Sequence, residues 1–426
     1  MTLGVGDADD WKQRERTVRK TLKYNCCHAR SMMHLFLNCL AASAGSGLTY
    51  VRNVVPQLSA RPALRATVAL SPQLRKELGN PSKISFIETE VPAGAAKRFC
   101  WEQVFLPGMI RRSGADVLIS AGNFALRRSP VPQILLSGNS LYTSDDFYRD
   151  LRRRRAYRMW LDTRVRGFFA RRSVGWADCT VAPSKAFADT LRSWTGGKVV
   201  SIHHGFDPEI FFNDHTPLPP SIQETIDAGD NALRLIFVSH YNYYRNFETL
   251  LRAIPIIRER LGGRDVQLFL TCKLLADENS GAHRTEAAAA MVKHLGIPNQ
   301  VIELGAVPYH LLQHLIRACN IYVTPAYAET FAHPLVEAMA CGLPVVASDL
   351  PAHREICGNA AVYFPRFSHQ LLADKVAQVG QSSALRTRLA ECGLKRSREF
   401  SWRDHVDQVI ALAESLRPIA KYPRAA

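Results

Sequence analysis

From Met33 onward, short apolar runs alternate with longer amphipathic stretches. The runs His34–Asn38, Ala66–Leu70, Asp116–Ile119, Gln133–Leu136, Cys179–Ala182 and Lys198–Ile202 read as buried strands, with helical stretches between most of them. A second series comprises Arg234–Val238, Val266–Thr271, Val301–Leu304, Ile321–Thr324, Pro344–Ala347 and Ala361–Phe364. Alternation of this kind implies parallel strands joined by crossover helices. The fold class is therefore α/β, and two successive series predict two Rossmann-like domains, 32–205 and 206–399. Asp207-Pro208, Pro217, Pro219 and Pro220 punctuate the stretch where the boundary should fall. A last segment, 400–426, is expected to be helical. In open α/β sheets ligands bind beyond the carboxyl ends of the strands, so two such domains facing each other would form one cleft.

Residues 1–31 break the pattern. They are polar and basic, with Lys12, Arg14, Arg16, Arg19 and Lys20 and no apolar signal core. Two readings stay open: a disordered or loosely helical tail, or an extension ahead of a true start at Met32 or Met33. No run of about 18 apolar residues occurs, so no transmembrane helix is expected.

Composition adds a charge argument. The chain has 426 residues, 47% of them apolar, with 54 Lys and Arg against 38 Asp and Glu. The formal net charge of +16 favours anionic partners without choosing among phosphates, nucleic acid and acidic membrane. Ten scattered cysteines read as reduced core residues of a cytoplasmic protein. The Cys26-Cys27 pair has no second pair at zinc-site spacing.

The most informative string is Tyr327 to Ser348. Strand Ile321–Thr324 runs into a loop at Pro325, a helix is expected from about Pro334, and Gly342 should end it. Glu329 lies in the loop and Glu337 in the first helical turn. Free N–H groups around Phe331 to Leu335 can hold a phosphate, and the two carboxylates can accept hydroxyls of a hexose and a ribose. Read without its context, Glu337 is only a helix-favourable acid near the positive dipole end.

The whole string resembles the E-x7-E signature of family 4 retaining glycosyltransferases, which have the GT-B architecture of two facing Rossmann-like domains. The match continues through Asp349 to Ala360 and covers nearly all of the chain after Met33, most strongly from Leu235 onward. The resemblance implies a catalytic set of Glu329, Arg245 and Asn139. Glu329 would contact the donor sugar, Glu337 the ribose, and the backbone at Thr330, Phe331 and Ala332 the diphosphate. His333 would touch sugar or phosphate, or cap the helix.

Arg245 fills the family's Lys position, where it can grip the diphosphate; a solvated surface charge is the plainer reading. Ser239 or His240 stands where relatives carry a first Arg. Gly45 and Gly47, ahead of a helix expected near Leu48, match the loop beside the donor phosphate, and Gly305 matches the region against the base. Asn139 replaces a His-Asp pair. It can bond a hydroxyl or shape a turn, and it cannot act as a base. The loop His203 to Asp207 resembles the family's hinge, and the last helix would return to the first domain.

The implied reaction transfers a hexosyl group from a nucleotide sugar, GDP-mannose or a UDP-hexose, to an acceptor hydroxyl with retention. No metal and no cofactor beyond the nucleotide-sugar co-substrate are implied. A nucleotide-sugar epimerase of the same architecture and a non-catalytic sugar-nucleotide sensor are the rival readings.

Arg149 to Arg172 contains ten arginines and two aspartates, interleaved with Tyr157, Met159, Trp160, Leu161, Val165, Phe168 and Phe169. Such a stretch can lie on an anionic membrane surface, or be a solvated helix whose apolar side packs on its own domain. The first reading predicts a cytoplasmic enzyme, peripheral on the inner face of the membrane, near a sugar or lipid-linked acceptor. No nucleic-acid module is visible, so nucleic acid is not an expected partner.

Overall fold

The computed structural model describes residues 32–42, 45–207, 211, 216–229, 231–275 and 283–417. The readings of the 1–31 extension and of Cys26-Cys27 lie outside them. The described strands form two parallel sheets. The first runs β3-β2-β1-β4-β5-β6-β7, from β1 (Met33–Asn38), β2 (Leu64–Leu70), β3 (Ile84–Glu88), β4 (Val117–Ala121), β5 (Gln133–Leu136), β6 (Cys179–Ala182) and β7 (Val199–Ser201). The second runs β10-β9-β8-β11-β12-β13, from β8 (Leu233–Phe237), β9 (Val266–Leu270), β10 (Val301–Glu303), β11 (Ile321–Thr324), β12 (Val345–Ser348) and β13 (Ala361–Phe364). The central strands are largely apolar because helices cover both faces; β1, β11 and β12 are buried at every position, including the polar His34, Asn38, Thr324 and Ser348.

The apolar runs foretell every strand except β3. That strand pairs only with β2, at the sheet edge, and no residue of it is fully buried. Its apolar signal, Ile84, Phe86 and Ile87, is correspondingly short.

The helices used below are α1 (Gly45–Ser59), α2 (Ala95–Ser113), α3 (Asp145–Arg153), α4 (Tyr157–Trp176), α5 (Lys185–Thr195), α6 (Tyr309–Arg317), α7 (His333–Ala340), α8 (Pro351–Cys357) and α9 (Trp402–Leu416). Helix α1 begins at Gly45, earlier than the expected Leu48, so Gly47 lies in its first turn. A Cβ on Gly47 would stand 3.3 Å from the Ala42 Cα.

The chain crosses between the two sheets at paired points. Phe206 and Ser401 form a parallel bridge. On one side of it Phe400 packs in the second core, and on the other Trp402 opens α9, whose Val406, Val409 and Ala413 join Leu35, Val55 and Leu58 in the first core. The crossing is tight: a Cβ on Gly205 would lie 2.0 Å from the Trp402 backbone nitrogen.

Helix α3 crosses too. It lies between β5 and β6 in sequence, yet Phe147 and Leu151 are buried in the second core with Leu235, Phe237 and Phe247. Below them Arg154 binds Asp150 at 3.0 Å and Glu248 of the second unit at 2.7 Å, and its guanidinium lies 4.2 Å over the Tyr243 ring. The basic stretch is therefore two helices, broken where Arg155 takes a left-handed backbone (φ 53). Among the described residues no helix is long and apolar enough to cross a membrane.

Candidate active site

Two loops of the second sheet build the site. One leaves β8 and turns through Tyr243–Arg245; the other leaves β11 and enters α7. They are tied at two points: the Asn246 side-chain amide donates to the Pro325 carbonyl at 3.0 Å, and the Tyr327 N–H to the Tyr244 carbonyl at 2.9 Å. Asn246 tolerates the left-handed turn (φ 57), and it accepts from the Thr249 hydroxyl at 2.8 Å.

This geometry points Arg245 at Glu329, and the two form an ion pair. Burial alone would push the Glu329 carboxyl up. The Arg245 guanidinium, the Thr330 N–H (3.0 Å from Oε1) and His353 outweigh it and hold the carboxyl below the usual range. Burial alone would lower the Arg245 guanidinium; Glu329 reverses that shift. Arg245 is thus not a solvated surface charge.

His353, at the start of α8, is fully buried. Its Nδ1 is 2.9 Å from the Ser348 carbonyl, so that nitrogen carries the hydrogen, and Nε2 makes no hydrogen bond. Its position near Glu329 was not legible, because the two are joined only through the turn after β12.

Helix α7 starts at His333, with Pro334 in its first turn and Gly342 beyond its end in the left-handed region (φ 69). The turn into it requires Ala332 at φ 64, a conformation that costs a residue with a Cβ about 1–2 kcal/mol. Glu337 lies just past the first turn rather than within it. It is buried, and accepts from the Tyr309 hydroxyl of α6 at 3.0 Å. Burial pushes its carboxyl up to about 7, and the Tyr309 bond opposes that shift only in part. Tyr309 is a contact that the sequence did not advertise.

The remaining candidates separate into groups. Thr330 is buried, and its hydroxyl reaches the Gly138 carbonyl of the first sheet at 3.4 Å. Next to Gly138, Asn139 accepts from the Leu141 N–H at 3.0 Å and so caps a short 3-10 turn. Phe331 is buried among His203, His204 and Phe400. The His333 ring turns to the crossing, with Nε2 3.1 Å from His204 Nδ1 and its ring stacked on Trp402; burial lowers it to about 4. Ser239 follows β8, its N–H donating to the Thr271 hydroxyl at 3.0 Å, whereas His240 is exposed. Gly305 follows β10 with φ 78. Among the described residues, no hydrogen bond or ion pair joins Gly45, Gly47, His240 or Gly305 to the Arg245–Glu329 pair.

Contacts from the first sheet close over this site. The Tyr327 hydroxyl donates to Asp150 at 2.8 Å. The Glu355 carboxylate accepts from the N–H groups of Lys185 and Ala186 at 2.7 and 2.6 Å, and lies 2.7 Å from His203 Nε2.

Two parallel α/β sheets facing a common cleft, with the ligand-binding loops at the carboxyl ends of the second sheet, define a GT-B glycosyltransferase fold. Sucrose-phosphate synthase from Thermosynechococcus elongatus shares it at a TM-score of 0.70 over 90% of this chain and 99% of that one, with 18% identity. Anabaena HepE, crystallised in complex with UDP-glucose, shares it at 0.67 over 90% and 100%, with 17% identity.

Residues 221–396, which carry Arg245, Glu329 and Glu337, match the family described as glycosyl transferases group 1. Phosphatidyl-myo-inositol mannosyltransferase of Mycobacterium leprae is 28% identical over 239 residues, 54% of this chain. The match spans little more than half of that relative, 58% of its length.

Proposed function

We propose that the protein is a retaining hexosyltransferase, using a nucleotide diphosphate sugar without a metal ion, in polysaccharide or glycolipid synthesis. The observation that carries this reading is the mostly buried Arg245–Glu329 ion pair at the mouth of α7. First-turn N–H groups of a helix lack intrahelical acceptors, and the dipole there favours an anion. A donor diphosphate at α7 draws Arg245 to itself and frees the Glu329 oxygens for sugar hydroxyls. Glu337 and Tyr309 then face the ribose. As the glycosidic bond to the diphosphate breaks, Arg245 stabilises the charge on the leaving oxygen. That oxygen takes the acceptor's proton while the acceptor oxygen bonds the anomeric carbon from the same face. HepE, with its bound UDP-glucose, supports a uridine donor; the mannosyltransferase supports a mannosyl donor.

A thermal-shift series over UDP-glucose, UDP-galactose and GDP-mannose tests donor binding, since a ligand of the folded state alone raises its apparent stability. Product analysis with labelled donor then tests transfer. Recovery of an epimerised nucleotide sugar, or binding without any turnover, would remove the transferase reading.

The membrane part of the proposal rests on α4. This helix turns Thr163, Gly167, Ala170, Ser173 and Val174 inward and leaves Tyr157, Leu161, Val165 and Phe168 outward, 49–60% exposed. These four thus face away from the protein, whereas Met159 and Trp160 of the same helix pack against the second core. Phe169 meets Phe99 of α2 at 5.3 Å, and α2 exposes Val104 and Phe105 in turn. Arginines 158, 164, 166, 171 and 172 flank this surface and are exposed. Apolar side chains ringed by Arg suit an anionic bilayer interface. Flotation with phosphatidylglycerol vesicles is expected to carry the protein up; equal recovery with neutral vesicles would refute the electrostatic part.

A further inference from the structure

A cavity of about 380 Å³ opens between the two units, directly beside Glu329. Its first-domain wall is the start of α3 and of α5, with Ser140, Thr143, Asp145, Asp146 and Thr190; its second-domain wall is Tyr327 to Glu329, the start of α8, and Arg366. The size falls within the range of small-ligand pockets, ~300–1,000 Å³. We propose that this cavity seats the acceptor and selects a neutral polyhydroxyl unit over a phosphorylated one, with Asp145 as the carboxylate that receives its hydroxyls. This rests on the transferase reading.

The wall is rich in hydrogen-bond acceptors, and its cations are already paired. The Thr143 hydroxyl donates to the Ser140 carbonyl at 3.1 Å and the Thr190 hydroxyl to the Ala186 carbonyl at 3.0 Å, so both oxygens are left as acceptors. Asp145, exposed at the first position of α3, makes no hydrogen bond or ion pair with any described residue. A sugar hydroxyl supplies the donor that these groups lack; a phosphate dianion supplies none.

Both cations of the cavity are engaged. Arg149 and Arg366 each bind Asp146 at 2.5 Å. The starts of α3 and α5, which would attract a phosphate, are also occupied; the short α8 opens on Pro351, which has no N–H, and its start carries no side-chain cap. Glu355 takes the first N–H groups of α5, and the hydroxyls of Ser184 and Ser144 cap the Phe187 and Phe147 N–H groups at 3.2 Å. Glu329 is already paired with Arg245, and Asp146 with both guanidiniums of the lining, so Asp145 is the lining carboxylate without a cation among the described residues, and it repels a phosphorylated acceptor.

The test uses the full chain, labelled donor, and methyl mannoside or methyl glucoside against mannose 6-phosphate or glucose 6-phosphate. The neutral glycosides are expected to give the higher kcat/KM. Asp145→Asn is expected to raise the neutral acceptor's KM about tenfold, with a smaller change in kcat. Asp145→Lys is expected to shift preference toward the phosphorylated sugars. A wild-type preference for the phosphorylated sugars, or an unchanged acceptor KM in Asp145→Asn, overturns the proposal. Saturation-transfer NMR of methyl mannoside with wild type and Asp145→Asn makes the same comparison without turnover. Binding lost in the variant, in a protein that transfers nothing, would remove the transferase reading and leave the cavity assignment standing; binding unchanged there overturns the assignment.

Discussion

Two arginine-bearing regions use the same side chain in opposite ways. In the loops before α7, Arg245 is held inside the protein against Glu329, and nearby Glu337 is buried under Tyr309. Along α3 and α4 nearly every arginine is exposed, and only Arg154 turns inward, onto Asp150 and Glu248. A buried charge is costly to strip of its partner, whereas an exposed one contributes little to stability. The first region therefore supports chemistry that needs fixed charges, and the second supports adhesion to a charged surface.

The largest effect is expected at the buried pair. Arg245→Ala leaves the mostly buried Glu329 without its cation and should cost about 3 kcal/mol of unfolding free energy, the lower end for a buried pair because both side chains keep some exposure. Chemical denaturation measures it, and a loss below 1 kcal/mol would erase the distinction between the two regions. Glu329→Gln should keep the fold and lower turnover about 100-fold or more; wild-type-like transfer would remove its assigned role.

Glu337 sharpens the contrast through pH. Its folded pKa, about 7, lies above the ordinary value of 4.5. The unfolded chain therefore loses this proton first, and stability falls as pH rises from about 4.5 through 7. Wild type should lose up to about 3 kcal/mol relative to Glu337→Gln between pH 4 and pH 8, with the change complete just above 7. Denaturant midpoints at those two pH values decide it; a constant difference would mean that the carboxylate is already ionised when folded.

On the exposed side, replacing Arg158, Arg166 and Arg171 by Ala should leave the melting temperature within the usual surface range, ~0.5 kcal/mol per site. The same variant should lose about 1 kcal/mol of vesicle binding per arginine. A large drop in stability would show that these arginines are structural. The smallest effect belongs to Ala332→Gly, which relieves the left-handed turn and should stabilise by about 0.5–1 kcal/mol once glycine's greater unfolded freedom is counted. Calorimetry reads it directly.

Legibility followed the range of the interaction. Pro334 and Gly342 bracket α7 in the sequence because capping is decided within a turn of chain. The buried strands announce themselves because a strand covered on both faces is mostly apolar, while the half-exposed edge strand β3 did not stand out. Asn139 allowed either a ligand contact or a turn, and the structure shows its side chain engaged in the turn.

The partners could not be read in the same way. Tyr309 is 28 residues from Glu337, and Glu355 is some 170 residues from the helix it caps. No periodicity encodes such meetings. By itself the sequence determined the two α/β series, the loop-to-helix frame around Glu329, and where charge is concentrated. Only the tertiary structure decided which charges are buried and paired, that α3 belongs to the second core, that α4 leaves Tyr157, Leu161, Val165 and Phe168 outward, and that a cavity flanks Glu329. Those outcomes depend on which surfaces meet after the chain has crossed between its two sheets, and desolvation, which sets the strength of every charge in the site, exists only once they have met.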